Sequence, residues 1–250
     1  DFEVDYRKLS DLEACEAQDP LLQSAASMMN HDLMSSSQII DLYKSIYDEC
    51  MQKANQAHED SKISSLAQVM APLAPLDEER VYQEAARTVD EEQRTNLFGS
   101  IKSYPENQPK KHMAIQINKG IHDLLLKYPE SVLFGEDVAQ KGGVYTITKQ
   151  LLKHFGPKRI FNTLLDEQTI LGLAQGYATL GLLPIPEIQY LAYFHNACDQ
   201  IRGEAASLQF FSNGQFSNPM VVRIAGLGYQ KGFGGHFHND NSIAAIRDIP

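Results

Sequence analysis

The chain has 250 residues, 43% of them apolar, and a formal net charge of −10, enough for one good core with a helical appendage. It contains no apolar run of about eighteen residues, which excludes a membrane-spanning helix. Residues 1–100 carry 20 acidic and 8 basic side chains, and residues 101–250 carry 12 and 14. That asymmetry marks two units with different surfaces, and the acidic first half lacks the basic footprint that nucleic acid requires.

Cys15, Cys50 and Cys198 are too scattered for a disulfide framework or a zinc knuckle. They fit a reducing compartment, the cytoplasm or, in a eukaryote, the mitochondrial matrix. The chain opens without Met and stops at Asp248-Ile249-Pro250, so it reads as a piece of something longer.

In chain order, Asp19-Pro20 starts a helix, because proline suits the first turn. Ser35-Ser36-Ser37-Gln38 has the spacing of a capping box. Behind it Ile39, Tyr43, Ile46, Cys50, Ala54 and Ala57 form one apolar stripe on a helix of about five turns. No strand pattern precedes about residue 130, and the first hundred residues are therefore mostly helix and loop. Residues 71–112 read as a connector, interrupted by Pro72, Pro75, Pro105 and Pro109 and kept in solvent by acidic clusters, with a short helix over Arg80–Arg87.

From residue 113 the character changes. Ile117, Ile121, Leu124, Leu125 and Tyr128 make a helical stripe ended by Pro129. Strands follow at Ser131–Val138, Arg159–Thr163, Leu183–Gln189 and Met220–Ile224. Helices alternate with them at Thr146–Phe155, Glu167–Leu180 and Phe194–Phe211. This alternation predicts an α/β fold, a doubly wound, mainly parallel sheet covered on both faces and preceded by a helical segment. Ligands of such sheets bind beyond the carboxyl ends of the strands.

Several polar groups fall at those ends. Gly135-Glu136-Asp137 closes the first strand, although an acidic pair there is ordinarily a solvated turn. Asp166-Glu167 follows the second strand and opens a helix, whose positive end favours a carboxylate. Asp166 reads as a cap. Glu167, followed by Ile170, Leu171 and Leu173, should lie near the core, where a carboxylate can act as acid or base. Tyr190 and Tyr193 follow the third strand; aromatics there usually pack the core and less often face a planar cofactor. A glycine-rich loop, Gly226–Gly235, precedes His236-Phe237-His238 and Asp240. The His-x-His-x-Asp alternation is a weak metal pattern without a fourth ligand. Gly226-x-Gly228 lacks the helix a dinucleotide fingerprint needs.

Taken together, Phe134-Gly135-Glu136-Asp137-Val138, Gly142-Gly143-Val144-Tyr145, Phe155 to Ile160, Asn162 to Glu167, Glu187-Ile188-Gln189, Asp199-Gln200 and Gly214-Gln215 fall in one order and spacing. Over residues 113–250 they resemble the beta subunit of the decarboxylating component of 2-oxo acid dehydrogenase complexes, of the pyruvate and branched-chain type. Glu187-Ile188-Gln189 leans towards the branched-chain members. Tyr6-Arg7, Asp19-Pro20-Leu21 and the Ser35–Cys50 helix resemble the tail of the alpha subunit of the same enzyme. The resemblance thus implies a fused polypeptide: an alpha-subunit tail over 1–70, a linker over 71–112, and a transketolase-like pyrimidine-binding domain over 113–250.

The resemblance also implies roles. Glu167 matches the glutamate that hydrogen-bonds the aminopyrimidine ring nitrogen of thiamine diphosphate and so makes its thiazolium carbon nucleophilic. Glu136 matches a second acidic residue beside the pyrimidine, and Tyr193 the aromatic packed on its face. His238 matches a histidine assisting acyl transfer to lipoamide, a role suited to imidazole near neutral pH; His236 receives none. Backbone carbonyls near Met220 correspond to a potassium site in some relatives. The implied partners are a 2-oxo acid substrate, a lipoyl-bearing dihydrolipoamide acyltransferase, and a second copy in a homodimer of fused chains.

Leu164 stands where relatives usually carry proline, Leu191-Ala192 replaces a more acidic pattern, and Asn239-Asp240-Asn241 replaces Ser-Gln-Ser. These departures bear on substrate preference and acyl transfer. The Gly-Asp-Gly motif that holds the diphosphate through magnesium does not occur in the 250 residues, so the piece alone is expected to bind the cofactor poorly and to be inactive. Two alternatives share the fold: a transketolase-like carbon–carbon transferase and a non-catalytic interaction module.

Overall fold

The computed structural model describes residues 2–73, 75–227 and 234–249, and the chain divides into two compact units, Asp1–Ser64 and Ser65–Pro250. The first unit is helical: α1 (Leu9–Glu16), α2 (Pro20–Asn30) and α3 (Ser36–Glu59). Asp19 caps α2 by accepting the Leu21 amide at 2.7 Å, with Pro20 in the first position. Ser35 and Gln38 form the capping box at the start of α3, satisfying donors the helix itself cannot. No residue of these three helices is buried, so the apolar stripe of α3 stays open, with Tyr43 66% exposed.

The second unit begins with α4 (Leu66–Met70), α5 (Glu78–Ala86) and α6 (Glu91–Phe98). The segment that reads as a connector thus carries short helices, and side chains tie it down. Arg94 bonds Asp123 at 2.8 Å and Glu106 at 2.7 Å, and Arg87 forks onto Glu130. Both arginines also stack on tyrosines, Arg94 on Tyr104 and Arg87 on Tyr128.

Then follow α7 (Met113–Lys127), β1 (Ser131–Gly135), α8 (Leu151–Phe155), β2 (Ile160–Asn162), α9 (Glu167–Thr179), β3 (Leu183–Ile188), α10 (Leu191–Phe194), α11 (Leu208–Phe211), β4 (Arg223–Ile224) and α12 (Ile243–Arg247). The four strands form one sheet in the order β2-β1-β3-β4, and every neighbouring pair is parallel. This is the expected α/β sheet.

Side chains of β1 alternate between two cores. Leu133 packs with Ile121, Leu125, Leu151, Ile160 and Ile185. Val132 and Phe134 pack with Ile170, Leu171, Ala174, Ile188 and Ala197. Each fully buried Leu, Ile or Phe contributes about 1.5–3 kcal/mol, so the sheet is stabilised from both faces.

Three elements differ from expectation. In place of a helix from Thr146, residues 142–150 form a coiled loop. Gly142 and Gly143 take φ of 89° and 69°, and Tyr145, Thr146 and Gln150 also turn left-handed. Tertiary bonds hold it: the Thr148 hydroxyl donates to the Val138 carbonyl at 2.7 Å, and Asn118 donates to Ile147 and Lys149 carbonyls. Those bonds outweigh local helix propensity. The long helix expected over Phe194–Phe211 is broken by a π turn at Gln200–Ala205, where a Cβ on Gly203 would lie 3.0 Å from the Asp199 carboxylate. β4 is reduced to two residues, because Pro184 and Pro186 of β3 offer no N–H and the β3–β4 ladder becomes regular only at Glu187.

Arg159 fastens α7 to the sheet. Its guanidinium donates to the carbonyls of Leu125, Tyr128 and Ser131 at 2.8–2.9 Å, satisfying the open end of α7 with a cation. At the far end of β1, a Cβ on Gly135 would stand 2.6 Å from the Glu187 carbonyl oxygen. Only glycine permits that approach.

Two outcomes follow for denaturation of the chain. Gly135→Ala is expected to cost about 1–3 kcal/mol, since the obstacle is strand backbone that cannot swing aside. Arg159→Lys is expected to destabilise despite keeping the charge, because an ammonium cannot reproduce the fork; an unchanged midpoint for Lys would show that charge alone suffices.

Candidate active site

The carboxyl ends of the parallel strands converge on three carboxylates. Glu136 follows β1, Glu167 opens α9 just after β2, and Glu187 sits in the last turn of β3. Their environments differ. Glu187 is 1% exposed and its Oε2 receives Nε of Arg223 from β4 at 2.8 Å, with Nη2 at 2.6 Å in the same ion pair. Burial pushes its carboxyl up, and Arg223 opposes that rise. Its Oε1 is buried without a hydrogen bond.

Glu167 is 8% exposed. Its place in the first turn of α9 comes from Asp166, which has extended backbone ahead of the helix and accepts the Thr169 hydroxyl. Ile170 and Leu171, each 2% exposed, draw that turn into the core. Oε2 of Glu167 accepts the Asn196 amide at 2.9 Å. Oε1 makes no hydrogen bond among the described residues.

Glu136 is half-buried, and its carboxyl is raised by burial, by Asp137 and by Glu167. Glu136 therefore feels the charge of Glu167. The same pair helps raise the Tyr193 phenol, after burial as the main cause. Tyr193 follows β3 on the turn of α10, which Leu191 and Phe194 anchor at 4% and 1% exposure.

His238 completes the group. Its Nε2 lies 3.3 Å from the Tyr193 hydroxyl, and its ring meets that of Tyr190 edge-on at 4.6 Å between centroids. Nδ1 is buried with no partner among the described residues. The structure thus gathers Glu136, Glu167, Tyr193 and His238 at one end of the sheet. His236 is exposed and outside this group. The His-x-His-x-Asp alternation does not converge, because Asp240 pairs with His195 at 2.9 Å. Among the described residues no cluster of three metal-ligating side chains occurs. Most of the glycine-rich loop, residues 228–233, lies outside the described residues.

Sequence reasoning missed Asn196, the Glu187–Arg223 pair and the His195–Asp240 pair. The Glu187–Arg223 pair had a signal: opposite charges in two successive buried strands must neutralise one another. Asn196 had none, since its role depends on how the 191–198 turn crosses the start of α9.

The arrangement offers a buried carboxyl with one uncommitted oxygen, a second raised carboxyl, an aromatic wall and an imidazole, a set suited to moving a proton beside a flat heterocycle. Comparison with known proteins places the chain among relatives. The chain is 36% identical over 154 residues to the 2-oxoisovalerate dehydrogenase subunit beta 2, mitochondrial, of Arabidopsis thaliana, covering 62% of this chain and 42% of that one. It is 40% identical over 134 residues to the mitochondrial 2-oxoisovalerate dehydrogenase subunit beta of Dictyostelium discoideum, covering 54% and 36%. It is 36% identical over 126 residues to the pyruvate dehydrogenase E1 component subunit beta of Staphylococcus epidermidis, covering 50% and 37%. The matches span about two-fifths of the length of these relatives. The family profile described as "Transketolase, pyrimidine binding domain" matches residues 111–236, half of the chain, and the sheet, its strand order and its strand-end carboxylates all lie within that stretch: the chain belongs to the transketolase pyrimidine-binding domain family.

Proposed function

We propose that this chain is the pyrimidine-binding part of a thiamine-diphosphate-dependent 2-oxo acid dehydrogenase. The whole protein decarboxylates a 2-oxo acid and passes the acyl group to the lipoyl group of a partner acyltransferase. The observation that carries this reading is Glu167, a carboxyl buried at a helix start with Oε2 engaged and Oε1 uncommitted. An aminopyrimidine needs an acid–base partner for its ring nitrogen and a flat wall for its face, and Glu167 and Tyr193 meet both needs. When bound, thiamine diphosphate supplies a thiazolium carbon that adds to the keto carbon and takes up the electrons left by carbon dioxide.

The chain's own residues handle the protons. Glu167 would share one with the ring nitrogen through Oε1, the oxygen Asn196 leaves free. Glu136, with its raised carboxyl, limits the negative charge around Glu167. Tyr193 packs on the ring and holds His238 through its hydroxyl. His238 supplies the proton that the departing sulfur needs when the lipoyl disulfide opens.

The diphosphate and magnesium have no match among the described residues, where no metal-ligating cluster occurs. We assign them to another segment of the protein. Leu164 and Leu165, 81% and 72% exposed just before Glu167, form an apolar step that such a segment would cover. That segment belongs to the same fused polypeptide or to a second copy in a dimer. The open apolar stripe of α3 supports an alpha-subunit tail, a segment built to be covered.

In the full-length protein supplied with thiamine diphosphate, magnesium, a lipoyl domain and several 2-oxo acids, Glu167→Gln is expected to lower kcat roughly 10²–10⁴-fold. An unchanged rate would remove the catalytic reading, and activity on sugar phosphates without any lipoyl acylation would favour the transketolase-like alternative. His238→Ala is expected to slow lipoyl acylation while sparing decarboxylation measured with an artificial electron acceptor; equal loss in both assays would assign His238 to the earlier step.

The pH dependence of stability tests Glu136. A carboxyl raised on folding prefers its protonated form, so its contribution is fully present below the unfolded value, about 4.3, and is lost as pH rises through the folded value. Glu136→Gln is therefore expected to raise the denaturation midpoint at neutral pH and to leave it unchanged at about pH 4. A uniform shift at both would contradict a raised carboxyl.

A further inference from the structure

Asn196 lies on the 3₁₀ turn His195–Ala197, directly after α10. Its neighbours hold the turn rigidly. Phe194 and Ala197 are 1% and 0% exposed, and the Leu191 amide donates to the Ala225 carbonyl at 2.8 Å. His195 is tied to Asp240 on the loop that carries His238. From this fixed point the Asn196 carboxamide donates to Oε2 of Glu167 at 2.9 Å. This is the one hydrogen bond that the Glu167 side chain makes among the described residues.

A carboxyl group on its own does not choose between its two oxygens, and the terminal torsion of glutamate is broad. The Asn196 amide nitrogen can only donate. The carbonyl oxygen of a carboxyl group accepts more strongly than its hydroxyl oxygen, so a donor on Oε2 favours a carboxyl proton on Oε1. We propose that Asn196 is a positioning residue: by engaging Oε2 it makes Oε1 the oxygen that presents the shared proton to the pyrimidine. This rests on the reading of Glu167 given above and adds a specific atom to it. Asn196 is itself largely exposed, so it serves no packing role that would explain its placement, and its substitution leaves the core intact.

The test measures binding as well as turnover. In the full-length apoprotein with magnesium, calorimetry compares thiamine diphosphate with an analogue in which carbon replaces the ring nitrogen facing Glu167. The ratio of the two affinities reads the Glu167 contact alone. Asn196→Ala, and the isosteric Asn196→Asp that has no amide donor, are expected to lower that ratio roughly tenfold or more, the size of a lost hydrogen bond to a charged group. Neither should change it further in a Glu167→Ala background. Under turnover the same variants should lower kcat with KM for the 2-oxo acid unchanged. If Glu167→Ala lowers the ratio but both Asn196 variants leave it intact, the positioning role is overturned and the reading of Glu167 stands. If Glu167→Ala itself leaves the ratio intact, the reading of Glu167 fails and the role of Asn196 falls with it.

Discussion

The ion pair between Glu187 and Arg223 is the constraint around which the carboxyl end of the sheet is arranged. Glu187 is 1% exposed and stands where β1, β3 and β4 meet. An uncompensated carboxylate at such a place costs about 3–5 kcal/mol, so β4 must bring Arg223 to the register position opposite it. That pairing is what makes β4 a strand at all. The prolines of β3 withhold donors earlier in the ladder, and regular pairing starts at the residue that carries the charge. The same contact fixes the chain on both sides: Leu191 bonds back to Ala225 just past Arg223, which sets the turn carrying Tyr193 and Asn196.

With Glu187 paired to Arg223, the carboxyl of Glu167 is left to act on that of Glu136. Glu136 is raised in part by Glu167, and no arginine or lysine is bonded to Glu167 among the described residues. Three acids at one strand end thus divide into a structural one with its own cation, a buried one with a free oxygen, and a half-buried one kept towards neutrality. Sequence identity alone does not distinguish them, since all three are glutamates at or just beyond strand ends. The difference lies in which cross-strand neighbour each meets.

That difference marks how far the sequence could be read. Periodicity located the strands and most helices of residues 113–250, because alternating short apolar strands and amphipathic helices leave few other packings. It overextended the helix near Thr146 and the helix from Phe194. In the first, long-range bonds to Val138 and Asn118 overrule local propensity. In the second, a π turn at Gly203 leaves no trace in an apolar repeat. Glu136, Glu167 and Tyr193 were legible as acidic or aromatic residues at or after strand ends, whereas His238 gained its place in the site only through the family resemblance. Asn196 was not, because an exposed asparagine in a turn looks the same whether or not a buried carboxylate lies across from it.

The charge at this site also orients what can occupy it. Glu187 is paired with Arg223 and Lys141 acts on Glu136, yet acidic groups still outnumber cations at this strand end among the described residues. A diphosphate would be repelled there, whereas an aminopyrimidine that shares or accepts a proton is attracted. Within the proposed function, the strand-end carboxyls would hold the cofactor's heterocycle, and its diphosphate would need cation from a different surface. The first hundred residues, with 20 acidic and 8 basic side chains, are poorly suited to supply it. Within the proposed function, a segment that brings the metal would complete the site, and the exposed Leu164-Leu165 step just before Glu167 would offer it an apolar edge.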